Sequence, residues 1–185
     1  MFQDKSSTHV FVLRAVLAAV MIVLAAVVRI MPHPWNFTPI GAMAIFSGSM
    51  FRDRRLAFLF PLAALFAGDL FVGLYRIIPI VYASFLLSVL IGRWLAERRS
   101  VLRIGGAAFL GALQFFLISN AAIWQFYDTY PHTPAGLVAC YIVGLPLFGN
   151  TLAGDALYAT LFFGIFALAE KLFPILSEPE GHPAH

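Results

Sequence analysis

The sequence predicts an all-α, polytopic membrane helical bundle, and three observations predict it. Hydrophobic residues fill 61% of the 185 positions, charged ones only 11%, and the mean hydropathy is +0.88, far from the mixture that keeps a globular domain soluble. The apolar residues fall into runs near the roughly 20 residues needed to cross a hydrocarbon core. Arginines gather between those runs, where they orient a membrane protein, so the net charge of +3 points to a lipid bilayer and not to a nucleic-acid partner.

The first run, Val10 to Met31, follows a short polar lead. It is too long for a secretory signal and has no small-residue cleavage site in the usual place, so it is expected to be retained as a helix. Within "RAVLAAVMIVLAAVVR", Ala15 and Ala19 stand one small-x-x-x-small step apart. Such a face lets helices approach closely in lipid, either within the bundle or against another membrane subunit. A short second helix, Phe37 to Phe51, is followed by Leu56 to Tyr75, Ile78 to Ala96 and Val101 to Trp124. Thr38-Pro39 and Thr133-Pro134 each put a hydroxyl before a proline, the pattern of an N-cap followed by a first helical residue.

The last apolar stretch, Pro134 to Phe173, exceeds one span and carries Pro146, Gly149 and Asn150 in its middle. The expected division is a short external or re-entrant helix from Pro134 to Phe148, then a spanning helix from Asn150 to Phe173. That makes six transmembrane helices; a full span at Pro134 to Phe148 would make seven. Residues 1–173 then form one transmembrane domain, and 174–185, with three prolines, a disordered tail. The clusters Arg52, Arg54, Arg55 and Arg93, Arg98, Arg99, Arg103 are expected to be cytoplasmic, whereas Gln125 to Pro134 lacks Lys and Arg and is expected outside. Alternation then puts the N-terminus in the cytoplasm.

Ionisable groups inside hydrocarbon cost at least about 2.5 kcal/mol when unpaired, which makes them functional candidates. Asp69 and Asp155 qualify, each roughly 8–9 Å below the outer surface in the six-helix layout. Asn36 with Trp35, Asn120 with Ser119 and Gln114 on the fifth helix, and Asn150 approach the same level, and Trp124, Tyr127, Tyr130 and Tyr141 would roof the cavity outlined by the acids and the asparagines. Rings give contact area, amides and acids fix orientation, and the set suits a small polar or aromatic solute. Equally, Trp and Tyr gather at every membrane interface, and Asn and Asp cap helices or bond between them. His132 beside Asp128 would sense pH or simply bond at the surface, and the single cysteine, Cys140, would act as a nucleophile or as a small buried hydrophobe. No phosphate-binding loop, H-E-x-x-H or G-x-S-x-G motif occurs, so neither an enzyme nor a resident cofactor or metal is expected.

The segments "PWNFTPIGAMAIFSGSMF", "PLAALFAGDLFVG", "FFLISNAAIW" and "YPHTPAGLVACYIVGLPLFGNTLAGDALYATLFFG" resemble an uncharacterised family of small bacterial inner-membrane proteins. In size, helix number and alanine-rich first helix, that family is similar to the substrate-binding S-components of energy-coupling-factor vitamin transporters. The resemblance implies six helices, an outward site for a vitamin-like solute, and docking through the first helix to a transmembrane partner that carries ATPase subunits. The expected function is therefore capture and uptake of a small solute. The competing readings are a structural or assembly subunit, whose acids bond only between helices, and an ion-coupled carrier using Asp69 and Asp155 as proton sites.

Overall fold

In the computed structural model, residues 2–31, 34–96 and 98–176 are described, and they form six α-helices and one short 3₁₀ turn. The helices are α1 (Phe2–Ile30), α2 (Ile40–Met50), α3 (Arg54–Val72), α4 (Ile78–Leu95), α5 (Val101–Phe126) and α6 (Pro134–Leu172). Pro174–Leu176 form the turn, and residues 177–185 of the expected tail lie outside the described residues. Three helices, α4, α5 and α6, are long and apolar enough to cross a membrane.

Polar side chains start the helices where the chain leaves a turn. Asp53 accepts from the Arg55 N–H at 2.7 Å to open α3, Ser100 accepts from Arg103 N–H at 3.3 Å to open α5, and Thr133 accepts from Gly136 N–H at 3.1 Å to open α6. Each satisfies one of the donors that a helix N-terminus leaves without a partner. Replacing Thr133 with Ala should lower stability by about 1 kcal/mol, read as a lower unfolding temperature in detergent; no change would mean that water replaces the hydroxyl fully.

α2 departs from the expected spanning helix. Ten of its eleven residues are buried, and it touches all five other helices. At 1.5 Å per residue it extends about 16 Å, half a bilayer core. No face is left for lipid: α2 is the centre of the bundle. Its sequence allows this because small residues lie on every side, and two glycines bring backbones together. A methyl group on Gly48 would overlap the Val89 carbonyl oxygen of α4, and one on Gly92 would overlap the Ile45 carbonyl oxygen of α2. Elsewhere Ser47 Oγ donates to the Ala57 carbonyl of α3 at 2.8 Å, and Phe46 packs its ring against Phe162, Phe163 and Phe166 of α6 at centroid distances of 5.3, 5.3 and 5.8 Å.

α6 corrects a second expectation. It runs unbroken for 39 residues, about 58 Å, so neither the re-entrant helix ending at Phe148 nor the seventh helix forms. Pro146 removes one backbone donor, yet helical prolines persist where neighbours satisfy the freed groups. The carbonyl left without its helical donor is that of Ile142, one turn earlier; downstream, Thr151 Oγ1 donates to the Leu147 carbonyl at 2.9 Å, and Asn150 Nδ2 leaves the helix to donate to the Trp35 carbonyl at 3.0 Å.

On α1, Ala18, Met21 and Ile22 are buried, Ala15 and Ala19 pack half-buried against the same core, and Val12, Val16, Val20, Val23 and Val27 are exposed. Arg14 locks the far end of the bundle: it pairs with Glu170 of α6 at 2.9 Å, donates to the Leu176 carbonyl at 2.9 Å, and lies over the Phe166 ring.

Candidate solute cavity

The interior space follows from the short central helix. α5 extends about 39 Å and α2 only about 16 Å, so the longer helices enclose a volume beyond the point where α2 begins. A cavity of about 350 Å³ lies there. Thr38 and Gly41 line it at the start of α2, Leu65 from α3, Val81, Phe85 and Ser88 from α4, Gly111, Phe115, Ser119 and Ile123 from α5, and Leu147, Thr151 and Asp155 from α6. Tyr75 and Ile77 contribute from the α3–α4 turn, and Trp35 and Asn36 from the segment leading into α2. Arg76, between two lining residues, donates to the Phe126 carbonyl at 2.6 Å and is exposed.

Asp155 defines the charge of this wall. It is 2% exposed, and its Oδ1 accepts from the Ala42 N–H at 2.9 Å. The helix it caps is not its own. Pro39 occupies the N-cap of α2 and gives no side-chain bond, and Thr38 does not act as the expected cap. A carboxylate from the middle of α6 takes over that role, reaching the third N–H of α2, where the helix dipole favours negative charge. Gly41 makes the approach possible, since a methyl group there would overlap both carboxylate oxygens. An acid from the middle of one helix thus caps a neighbouring helix.

The rim is formed by an irregular segment. Asn36 adopts φ 62°, the left-handed region that asparagine tolerates better than most residues. Asn150 tethers this segment through the Trp35 carbonyl, and Trp35 itself is 84% exposed. Gly154 packs beside Thr38.

Of the residues singled out from sequence, Trp35, Asn36 and Asp155 meet at the cavity. Asn150 acts one bond behind, on Trp35. Asp69 is fully buried in α3, one turn beyond the lining residue Leu65, and is not itself on the wall. Asn120 faces the α5–α6 contact: its Nδ2 donates to the Phe116 carbonyl at 2.8 Å, its backbone carbonyl accepts from the Cys140 thiol at 3.4 Å, and Gly144 packs against its amide. Cys140 is buried there.

The aromatic residues expected as a roof organise the α5–α6 connection. Trp124 Nε1 donates to the Pro131 carbonyl at 2.9 Å with the His132 ring edge-on to its own, and Tyr141 donates to the Leu117 carbonyl at 2.8 Å while meeting the Phe116 ring. Tyr127 packs on the hydrophobic core and Tyr130 is half-buried in the turn. Among the described residues no three His, Cys, Asp or Glu side chains cluster as metal ligands.

Sequence reasoning missed Phe85, Ser88, Gly111 and Phe115. They recur at helical spacing inside apolar runs, as any packed helix face does. A partial signal was available in Ser84 and Ser88, polar within an apolar helix: Gln114 Nε2, from a residue the sequence did bring forward, donates to Ser88 Oγ and to the Ser84 carbonyl at 3.0 Å each.

A family model described as a family of unknown function (DUF6580) matches residues 10–176. The chain belongs to that family. The DUF6580 match spans all six helices from within α1 to the turn at Leu176, and so includes every residue of the cavity wall. No curated protein and no solved structure matches the chain.

Proposed function

We propose that this protein is a membrane-embedded binding and uptake component for a small, ring-bearing solute, captured from the outer face. The observation that carries the reading is the cavity of about 350 Å³. Ligand sites are concave, mainly apolar and furnished with a few convergent polar groups, in a volume range that begins near 300 Å³. This wall combines the rings of Phe85, Phe115, Tyr75 and Trp35 with hydroxyls of Ser119 and Thr151 and the Asp155 carboxylate. Binding exchanges the hydration of the solute for rings and fixed polar groups.

In this reading all six helices belong to the membrane domain, with α2 held at mid-depth by the others. The arginine-bearing α2–α3 and α4–α5 turns face the cytoplasm, the N-terminus lies on the same side, and the membrane is a bacterial inner membrane. The likeness in size and helix number to vitamin-binding S-components favours a transmembrane partner with ATPase subunits that drives release inward. The surface of such a contact includes the exposed valine stripe of α1, because Ala15 and Ala19 are already engaged within the bundle.

Native mass spectrometry of the protein released from its own membrane tests the reading. A bound small molecule is expected, and Ser119→Phe, which fills the cavity from α5, should abolish it. Protein that is empty in both forms would overturn capture and favour the assembly-subunit alternative.

A further inference from the structure

The charge on the cavity wall exceeds what the fold requires of it. One oxygen of Asp155 accepts the Ala42 N–H; among the described residues the other, Oδ2, has no donor. Asn, Asp and Ser serve almost equally as caps, so a neutral side chain would satisfy the same N–H. The start of α2 supplies the equivalent of about half a positive charge, which leaves part of the carboxylate charge uncompensated. Among the described residues no Lys, Arg or His lines the cavity, and a buried acid without a counter-charge is unfavourable in a membrane interior.

We propose that the bound solute supplies that counter-charge: the cavity selects a cationic, ring-bearing molecule, with a protonated amine or a quaternary ring nitrogen seated against Asp155 Oδ2. The same wall carries the aromatic faces of Trp35, Tyr75, Phe85 and Phe115, and aromatic rings attract a desolvated cation through their quadrupoles. A carboxylate and several rings around one small volume recognise positive charge on a flat body. Gly41 has a part in selection as well, since its missing side chain holds the carboxylate at the wall.

This inference rests on the reading that the cavity captures a solute, and the two fail differently. Two probes of nearly equal shape, tryptamine and the corresponding neutral alcohol tryptophol, are titrated into the detergent-purified full chain by calorimetry. Tryptamine is expected to bind at least tenfold more tightly. Asp155→Asn, which retains an oxygen for Ala42, should bring the ratio of the two affinities to about one. Phe85→Leu, which keeps the carboxylate, should narrow the ratio and serves where the Asn variant does not fold. Equal affinity of the two probes in the wild-type protein would overturn charge selection and leave capture standing. Failure of both probes to bind would overturn charge selection and capture together.

Discussion

Gly92→Ala is expected to leave little folded protein. The added methyl group would enter the space of the Ile45 carbonyl oxygen, a backbone atom fixed within a helix that is buried on every side. Overpacking of a dense core costs 1–3 kcal/mol in ordinary cases, and here no rotamer change relieves it: α2 and α4 must move apart. Because α2 also contacts the other four helices, that movement disturbs the whole bundle, and a loss of about 3 kcal/mol is expected. Gly164→Ala is the control, with nothing within 4 Å of its added methyl group, and should be neutral or slightly stabilising through helix propensity. Thermal unfolding in detergent separates the two. Equal midpoints for both variants would mean that α2 and α4 do not cross at these glycines.

The second large effect lies at the start of α2, and a double-mutant cycle reads it. Asp155→Ala leaves the buried Ala42 N–H without its acceptor, at a cost of about 1–3 kcal/mol. Gly41→Ala forces the carboxylate aside and should cost a similar amount. The double variant should be less unstable than the sum of the two, because the methyl group added at position 41 would occupy the space that the missing carboxylate vacates. A coupling of about 1 kcal/mol is expected between touching residues. Strict additivity would show that Asp155 and Gly41 do not meet, and would remove the capping role on which the cavity floor depends.

Much of the helix pattern was legible because local chemistry sets it. α4 begins at Ile78 and α5 at Val101 as the runs suggested, since the Arg-rich turn between them interrupts the apolar sequence and Ser100 provides the cap. Thr133-Pro134 opens α6 for the same local reason. Thr38-Pro39 has the same letters and a different outcome, because a carboxylate 113 positions away reaches Ala42 instead. α6 shows the limit of breaker residues: Pro146, Gly149 and Asn150 look like an interruption, yet the proline removes a single backbone donor, the Asn150 amide is held by the Trp35 carbonyl, and the helix continues through all three.

Of the site, the sequence displayed what is chemically conspicuous. An acid in an apolar run marked Asp155, but composition could not distinguish it from Asp69, which is also buried and does not reach the cavity. Nor could it separate the rings that line the volume, Phe85 and Phe115, from those that build a turn, Trp124 and Tyr130, because the difference is one of three-dimensional direction.

The half-length, fully enclosed α2 also bears on biogenesis. A helix that meets lipid can be held in place by the bilayer as soon as it leaves the insertion machinery; α2, buried on all sides by α1, α3, α4, α5 and α6, has no such hold. Its eleven residues fall well short of the roughly 20 that insert stably alone. α2 is therefore expected to travel as a passenger between α1 and α3, its final depth fixed only once α6 delivers Asp155 to its N-terminus.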